Sequence, residues 1–339
     1  MKNIYHFFAG TMSGTGFINN FDKINNKQID SLTYIIKGTS GSGKSTLIKK
    51  IGKYFEEQGK HVEYFYCSAD PNSLDGVRLA DENISVVDGT SPHNLDISNC
   101  NIDTKIINLT EFIDDEIIFQ DDNILSLSEK KKVCYKSMQN YLSCAKILFD
   151  ENYNLMQKNI KFIEEKSQKL IKKLNLKKIN NKKFDRQLFL DYISTDGVQS
   201  LMDKNIFDNK ITLFNNIYVN DKILHNIYDY SSDLGYSTIA FLNIFNPNCF
   251  DCVYIREIDL FIQGISEICD DEKVKENNRL INLLTQKASR ELDNAKSFHK
   301  EIENLHKPYI NFKMLDDLTA KTIKSIEQRI FVQLKKYQV

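Results

Sequence analysis

The first third of the chain alternates short β-branched or aromatic runs with polar turns. TYIIK at Thr33–Lys37, HVEYFYC at His61–Cys67, NISVVD at Asn83–Asp88 and TKIINL at Thr104–Leu109 each have the length and content of a strand. Between the first two lies TLIKKIGKYFEEQG. There Leu47, Ile48, Ile51, Tyr54 and Phe55 recur at helical spacing and Gly59 supplies a C-terminal stop. Strands alternating with helices predict an α/β fold with a mostly parallel sheet covered by helices, and such a sheet takes its ligands at the C-terminal edge of its strands.

Elsewhere the period is helical. From Thr90 to Asp196 there is no Gly, and Pro92 is the sole Pro. Leu142, Ala145, Leu148, Tyr153, Met156, Ile160, Ile163, Leu170 and Leu174 form a stripe with spacings mostly of three or four, which predicts a helix or helical hairpin over about 126–176. The segment after Gly264 is equally poor in breakers apart from Pro308, and Leu315, Leu318, Thr322, Ile326 and Ile330 predict a closing helix.

At 339 residues the chain can hold more than one core. A net charge of -1, with 41% hydrophobic and 27% charged residues, gives no overall basic field to draw a nucleic-acid partner, and none is expected. No apolar run is long enough to span a bilayer, and the N-terminal apolar patch is too short for a secretory core. Seven scattered Cys read as reduced thiols, so a cytoplasmic location is expected. The pair Cys249 and Cys252 has no second pair to complete a zinc site and reads as local drift. The basic tract Lys166–Lys183 reads as a solvated linker face.

The strongest chemistry is GTSGSGKST, Gly38–Thr46, which fits G-x-x-x-x-G-K-[ST] through Gly38, Gly43, Lys44 and Ser45. A predicted strand precedes it and a predicted helix follows. The loop Gly38, Thr39, Ser40, Gly41, Ser42, Gly43, Lys44, Ser45 and Thr46 is therefore expected to wrap phosphate with backbone N–H groups at a helix N-terminus. Lys44 would reach the β- and γ-phosphates, and Ser45 would ligate Mg²⁺. Asp88, ending an apolar strand downstream, is the expected second Mg²⁺ group. No N-K-x-D motif follows at the spacing of a GTP site, which favours ATP. The loops also hold Asp70, Asp75, Thr90 and His93, and either Asp70 or His93 could orient water. No Glu follows Asp88, and Arg78 is the only Arg before Arg186, so the cluster of Arg forks that clamps a phosphate acceptor is missing.

The second half echoes the first. FFAGTMSGTGF at Phe7–Phe17 aligns with LFLDYISTDGV at Leu188–Val198. GKHVEYFYCSADPNSLDGV aligns with GYSTIAFLNIFNPNCFDCV, pairing Gly59 with Gly235, Phe65 with Phe241, Pro71 with Pro247 and Asp75 with Asp251. ISVVDG aligns with DLFIQG, which sets Gln263 opposite Asp88 and Gly264 opposite Gly89. A match in this order implies a tandem duplication. In the second copy Thr212–Leu234 has no Gly, and Lys222 meets Lys44 only after a shift, so this copy should keep the fold and bind no ATP.

The motifs FFAGTMSGTGF, the Gly-rich loop with LIKKIG, YFYCSADPNSLDGV and VVDGTSPH together resemble an uncharacterised family of tandem P-loop ATPase or ATP-binding proteins of Gram-positive, often spore-forming bacteria. The resemblance implies the fold and ATP binding over nearly the whole chain, though the family's second copy usually keeps its own P-loop and this one does not. The expected organisation is an active P-loop domain at 1–125, a helical extension and basic linker at 126–183, a degenerate repeat at 184–265 and a C-terminal helical extension at 266–339. The expected fold is a P-loop NTPase-like α/β sheet, tandem duplicated, with long helical extensions. The expected function is a slow Mg-dependent ATPase (a hydrolase) or nucleotide switch whose helical arms could meet a protein partner. The alternatives are a small-molecule kinase and a non-hydrolysing ATP-binding module.

Overall fold

The computed structural model describes residues 4–93, 95, 103–112, 122–180 and 183–337. Asn181 and Lys182 of the basic tract lie outside them. In chain order the elements are β1 (Ile4–Phe7), β2 (Gly10–Ser13), β3 (Gly16–Asn19), β4 (Leu32–Lys37), α1 (Lys44–Glu57), β5 (Val62–Tyr66), β6 (Leu74–Leu79), β7 (Ile84–Asp88), β8 (Thr104–Asn108), α2 (Asp122–Leu155) and α3 (Ile160–Leu174). They continue with β9 (Arg186–Leu188), β10 (Asp191–Ser194), β11 (Gly197–Ser200), β12 (Asn209–Asn215), α4 (Ile217–Asp233), β13 (Thr238–Leu242), β14 (Phe250–Ile255), β15 (Leu260–Ser266), α5 (Glu272–His306) and α6 (Phe312–Tyr337).

The chain divides into two compact units. One takes in the described residues of Met1–Phe7, Phe21–Tyr135 and Leu292–Val339, the other Phe8–Asn20 and Lys136–Glu291. Two of the boundaries fall inside α2 and α5, and the other two flank the segment Phe8–Asn20.

The first unit is built on a six-stranded sheet in the order β1-β5-β6-β7-β4-β8. β1, β4 and β8 each join a neighbour in parallel, whereas β6 runs antiparallel to both β5 and β7. Helix α1 forms because Leu47, Ile48, Ile51 and Phe55 make one buried stripe, and it stops at Gly59, whose φ of +74° suits a residue without a Cβ. Leu32, Tyr34 and Ile36 of β4 meet that stripe. Leu315, Ile326 and Ile330 of α6 close the same core, so the predicted closing helix is present and covers the first sheet. Burying such aliphatic side chains contributes about 1.5–3 kcal/mol each before chain entropy is counted.

The second unit carries a five-stranded sheet in the order β12-β15-β14-β13-β9. It repeats the sequence of connections of β4-β7-β6-β5-β1. Here parallel pairs do not dominate: β12–β15 and β13–β9 are parallel, β15–β14 and β14–β13 antiparallel. The expectation of a mostly parallel sheet missed the antiparallel middle strand, because LDGVRL reads locally as a loop leaving a turn. Two hairpins, β2–β3 and β10–β11, also belong to this unit, and Phe8 and Phe189 exchange backbone hydrogen bonds of 3.0 and 2.9 Å beside them.

The predicted stretch over 126–176 is two helices, α2 and α3. Leu142, Ala145, Ile163 and Leu170 are buried as the stripe requires, but Ile160, the first residue of α3, is exposed. Asn159 caps α3 by accepting from Lys161 N–H, and Asn175 ends it in the left-handed region with Lys172 and Lys173 in the last turn.

Candidate functional site

Lys37 ends β4 and Lys44 begins α1, and the six residues Gly38–Gly43 form the loop between them. Gly41 and Gly43 have φ of +80° and +90°, values that L side chains avoid. The loop closes on itself: Ser42 donates from Oγ to the Thr39 carbonyl at 2.8 Å. Lys44 folds back and donates from Nζ to the carbonyls of Gly38 (2.9 Å) and Thr39 (2.8 Å). Its ammonium also lies 3.7 Å from Asp88 Oδ2. Gly43 is the N-cap of α1, so no side chain satisfies the first amides of the helix. Thr39 Oγ1 is buried without a hydrogen-bond partner among the described residues. A loop with spare donors at a helix N-terminus and a cation at its centre is suited to an anion.

The neighbouring strand ends complete the site. Ser45 Oγ accepts from Leu74 N–H at 2.9 Å. Asp88 Oδ1 accepts from both Thr90 N–H (2.8 Å) and Thr90 Oγ (2.6 Å), and leaves Oδ2 toward Lys44. Thr90 opens a turn closed by His93 N–H donating to the Thr90 carbonyl at 2.8 Å. His93 Nε2 lies 3.0 Å from Asp75 Oδ2, and both side chains are buried. Burial pulls the imidazole pKa down, but the Asp75 and Asp88 carboxylates outweigh it and hold it above its ordinary value. Asp70, the other candidate for orienting water, is committed to its own turn, where it accepts from Asn72 N–H and Ser73 Oγ. Thr46 is exposed, and Ser40 contributes its carbonyl.

Several residues here carry no sequence signal. His306 at the end of α5 donates from Nδ1 to the Ser40 carbonyl at 2.8 Å, across 266 positions. The backbone of Glu303 lies against Gly41, 3.2 Å from where a Cβ would stand, and the Leu315 side chain lies against Gly43. Lys131 of α2 is held below the ordinary lysine value, first by burial and then by Lys44. Arg78 is no phosphate clamp: it is 2% exposed and donates to Glu63, Asn25, Asn83 and the Ala80 carbonyl inside the core.

The corresponding place in the second unit is built otherwise. β12 ends at Asn215 and α4 starts at Ile217, which leaves Asn216 alone where the first unit has a six-residue loop. Asn216 Oδ1 accepts from Val219 N–H at 2.9 Å and caps the helix from within the chain. Counted back from Gly59 and Gly235, Lys44 corresponds to Asn220 and Ser45 to Asp221. Asn220 donates to the carbonyls of Asn215 and Ile265, at 3.1 Å each. Asp221 Oδ1 accepts from Phe250 N–H at 2.8 Å, as Ser45 accepts from Leu74. Lys222 therefore stands opposite Thr46, not Lys44.

The register also corrects the place of Gln263. It pairs with Cys252 as Val87 pairs with Gly76, so Gly264 occupies the place of Asp88. A Cβ on Gly264 would strike Asn220, which confirms that this position faces the start of the helix. The turn of NPNCFDCVYI repeats that of DPNSLDGVRL: Cys249 N–H donates to the Asn246 carbonyl at 2.9 Å as Ser73 N–H donates to that of Asp70 at 2.8 Å. Cys249 and Cys252 are buried, and burial pushes the Cys249 thiol up to about 12, far from a thiolate.

Among the described residues no helix is long and apolar enough to cross a membrane. A family model described as Nephrocystin 3, N-terminal, matches residues 14–78, a stretch that holds the loop and α1. No curated protein and no solved structure matches the chain.

Proposed function

We propose that the chain binds Mg-ATP at Gly38–Thr46 and is a slow ATPase or nucleotide switch with a single live site. The observation that carries the proposal is the loop itself: two glycines at positive φ, an uncapped helix N-terminus and a lysine folded onto the loop carbonyls within reach of Asp88. The orphaned Thr39 hydroxyl and the uncapped amides fit a polyphosphate, whose oxygens would accept from them. Lys44 would exchange the Gly38 and Thr39 carbonyls for the β- and γ-phosphates. Mg²⁺, held by Ser45 and Asp88, would neutralise developing charge on those phosphates.

Arg78 lies in the core, so a clamp for a phosphate-bearing acceptor is missing among the described arginines of this unit's first sheet. That favours water as acceptor over transfer to another phosphate. The reading includes the tandem P-loop family that the motifs resemble and the duplication itself. The repeated strand order, the repeated turn and the paired contacts Ser45–Leu74 and Asp221–Phe250 support the duplication.

Calorimetric titration with Mg-ATP is the test. Lys44→Ala removes the ammonium that donates to the Gly38 and Thr39 carbonyls and is expected to weaken binding at least about tenfold, from the loss of a charge-assisted contact. Equal affinity in variant and parent sinks the proposal.

A further inference from the structure

Ion pairs, hydrogen bonds and chain neighbours around the loop close into a ring. Lys44 reaches Asp88; Asp88 holds Thr90; Thr90 closes the turn that presents His93; His93 meets Asp75; and Leu74, next to Asp75, is bound to Ser45, which adjoins Lys44. The Asp75–His93 pair is therefore fastened at both ends to the residues assigned to phosphate and metal. It is the single His–carboxylate contact of that ring. The Phe21 ring packs edge-on against the imidazole at 5.1 Å and fixes its plane.

The second unit shows what becomes of the pair where the loop is lost. Asp251 stands where Asp75 stands, but it is held by the Asn243 amide at 3.1 and 3.2 Å, and no imidazole occupies the place of His93, where the sequence has Cys269. The second unit has neither the loop nor a histidine at these places.

We propose that His93 is the general base of the reaction at the Gly38–Thr46 loop, with Asp75 as its positioning residue. The proposal rests on the ATP reading above. The nucleophile is water. Its proton passes to the His93 imidazole, and its oxygen lone pair forms the new bond to the γ-phosphorus. The bond from that phosphorus to the β,γ-bridging oxygen breaks, and its electron pair leaves on ADP. Asp75, facing Nε2, orients the ring and stabilises the imidazolium that forms. The charged groups that act on the ring are Asp75 from β6, Asp88 from β7 and Lys44 from α1. In the nucleotide-free protein the two carboxylates keep the imidazole protonated to higher pH than usual, and turnover rises with pH as the imidazole gives up its proton.

The test uses the full chain with Mg-ATP and two readouts. By proton NMR of the nucleotide-free protein, His93 is expected to titrate above the ordinary value, and Asp75→Asn to bring it down. By phosphate release, His93→Gln is expected to lose about a hundredfold or more of kcat, the usual worth of a general base, with Mg-ATP affinity within about threefold of the parent. The acid limb of its pH profile is expected to vanish, and that of Asp75→Asn to move to lower pH. If His93→Gln binds Mg-ATP and keeps its rate and limb, or if the parent binds but releases no phosphate, the base assignment is wrong while the ATP site stands. If the parent does not bind Mg-ATP, both are wrong.

Discussion

Asp88 and Asp251 are both carboxylates at strand ends, and their surroundings give them opposite prospects. Asp88 is satisfied on one oxygen by Thr90 and faces Lys44 with the other. Asn can keep both Thr90 hydrogen bonds, so Asp88→Asn should leave the turn intact and remove only the charge. Mg-ATP affinity should change by a few-fold, while Mg²⁺-dependent phosphate release should fall at least about tenfold, a loss of roughly 1.4 kcal/mol of transition-state stabilisation. Unchanged release would remove Asp88 from the site. Asp251 is held instead by the neutral amide of Asn243. Burial, with Asp191 nearby, pushes its carboxyl up to about 7 against the two Asn243 hydrogen bonds. The folded pKa exceeds the unfolded value of about 4, so the folded state holds the proton more tightly. Stability from this group is therefore fully present below about pH 4, falls as pH rises toward 7, and is then level. Asp251→Asn should raise stability by about 1–2 kcal/mol at pH 8 and by less at pH 5, read from urea unfolding midpoints. An equal change at both pH values would show that the carboxyl is not held protonated.

At the scale of elements, the loop was legible because its chemistry is local. Glycine spacing, a lysine and a flanking strand and helix lie within one short window, and β4, α1, β5, β7 and β8 appear close to where their periodicity places them. The antiparallel β6 was not legible, since LDGVRL follows a turn and offers no alternation of its own. The place of Gln263 was misjudged by one residue because an alignment of DLFIQG to ISVVDG rests on a single glycine, whereas strand register fixes it through Cys252 and Gly76. Least legible was the cover on the loop, because contacts from α5 and α6 to Ser40, Gly41 and Gly43 join residues too distant for any local pattern. That cover can be tested by a double-mutant cycle. Gly43→Ala meets both a φ of +90° and the Leu315 side chain, and should cost about 1–3 kcal/mol. Leu315→Ala opens space at a residue 2% exposed and should cost about 2–4 kcal/mol. The double variant should lose less than the sum, because the smaller side chain relieves the clash. Strict additivity in urea unfolding would mean that Leu315 does not bear on Gly43.

If the proposed ATP reading holds, the question for the whole molecule is how many nucleotides one chain takes. Five strands of each sheet share one order, which on that reading suggests two sites, yet the second unit fills the corresponding place from inside. Asn216 alone joins β12 to α4, which is too short to wrap a phosphate, and its side chain has already capped the helix. Asn220 ties down the strand ends where a lysine would reach for phosphate. Asp221 sits where Ser45 sits. Burial opposes its charge, but His225, the Tyr153 hydroxyl and Phe250 N–H together hold its carboxyl below the usual range, so it remains an anion at neutral pH. A fixed negative charge in place of the hydroxyl proposed to hold Mg²⁺ would repel a polyphosphate. Titration of the full chain with Mg-ATP should therefore saturate at one per chain, and Lys44→Ala should weaken that event at least about tenfold. Lys222, half-buried beside Asp221 and the rings of Tyr153 and Tyr218, could attract ATP only as a generic cation without a loop of N–H groups. A second tight event that survives Lys44→Ala and vanishes with Lys222→Ala would show a working nucleotide site in the second unit and overturn the account of Asn216, Asn220 and Asp221 as its internal closure.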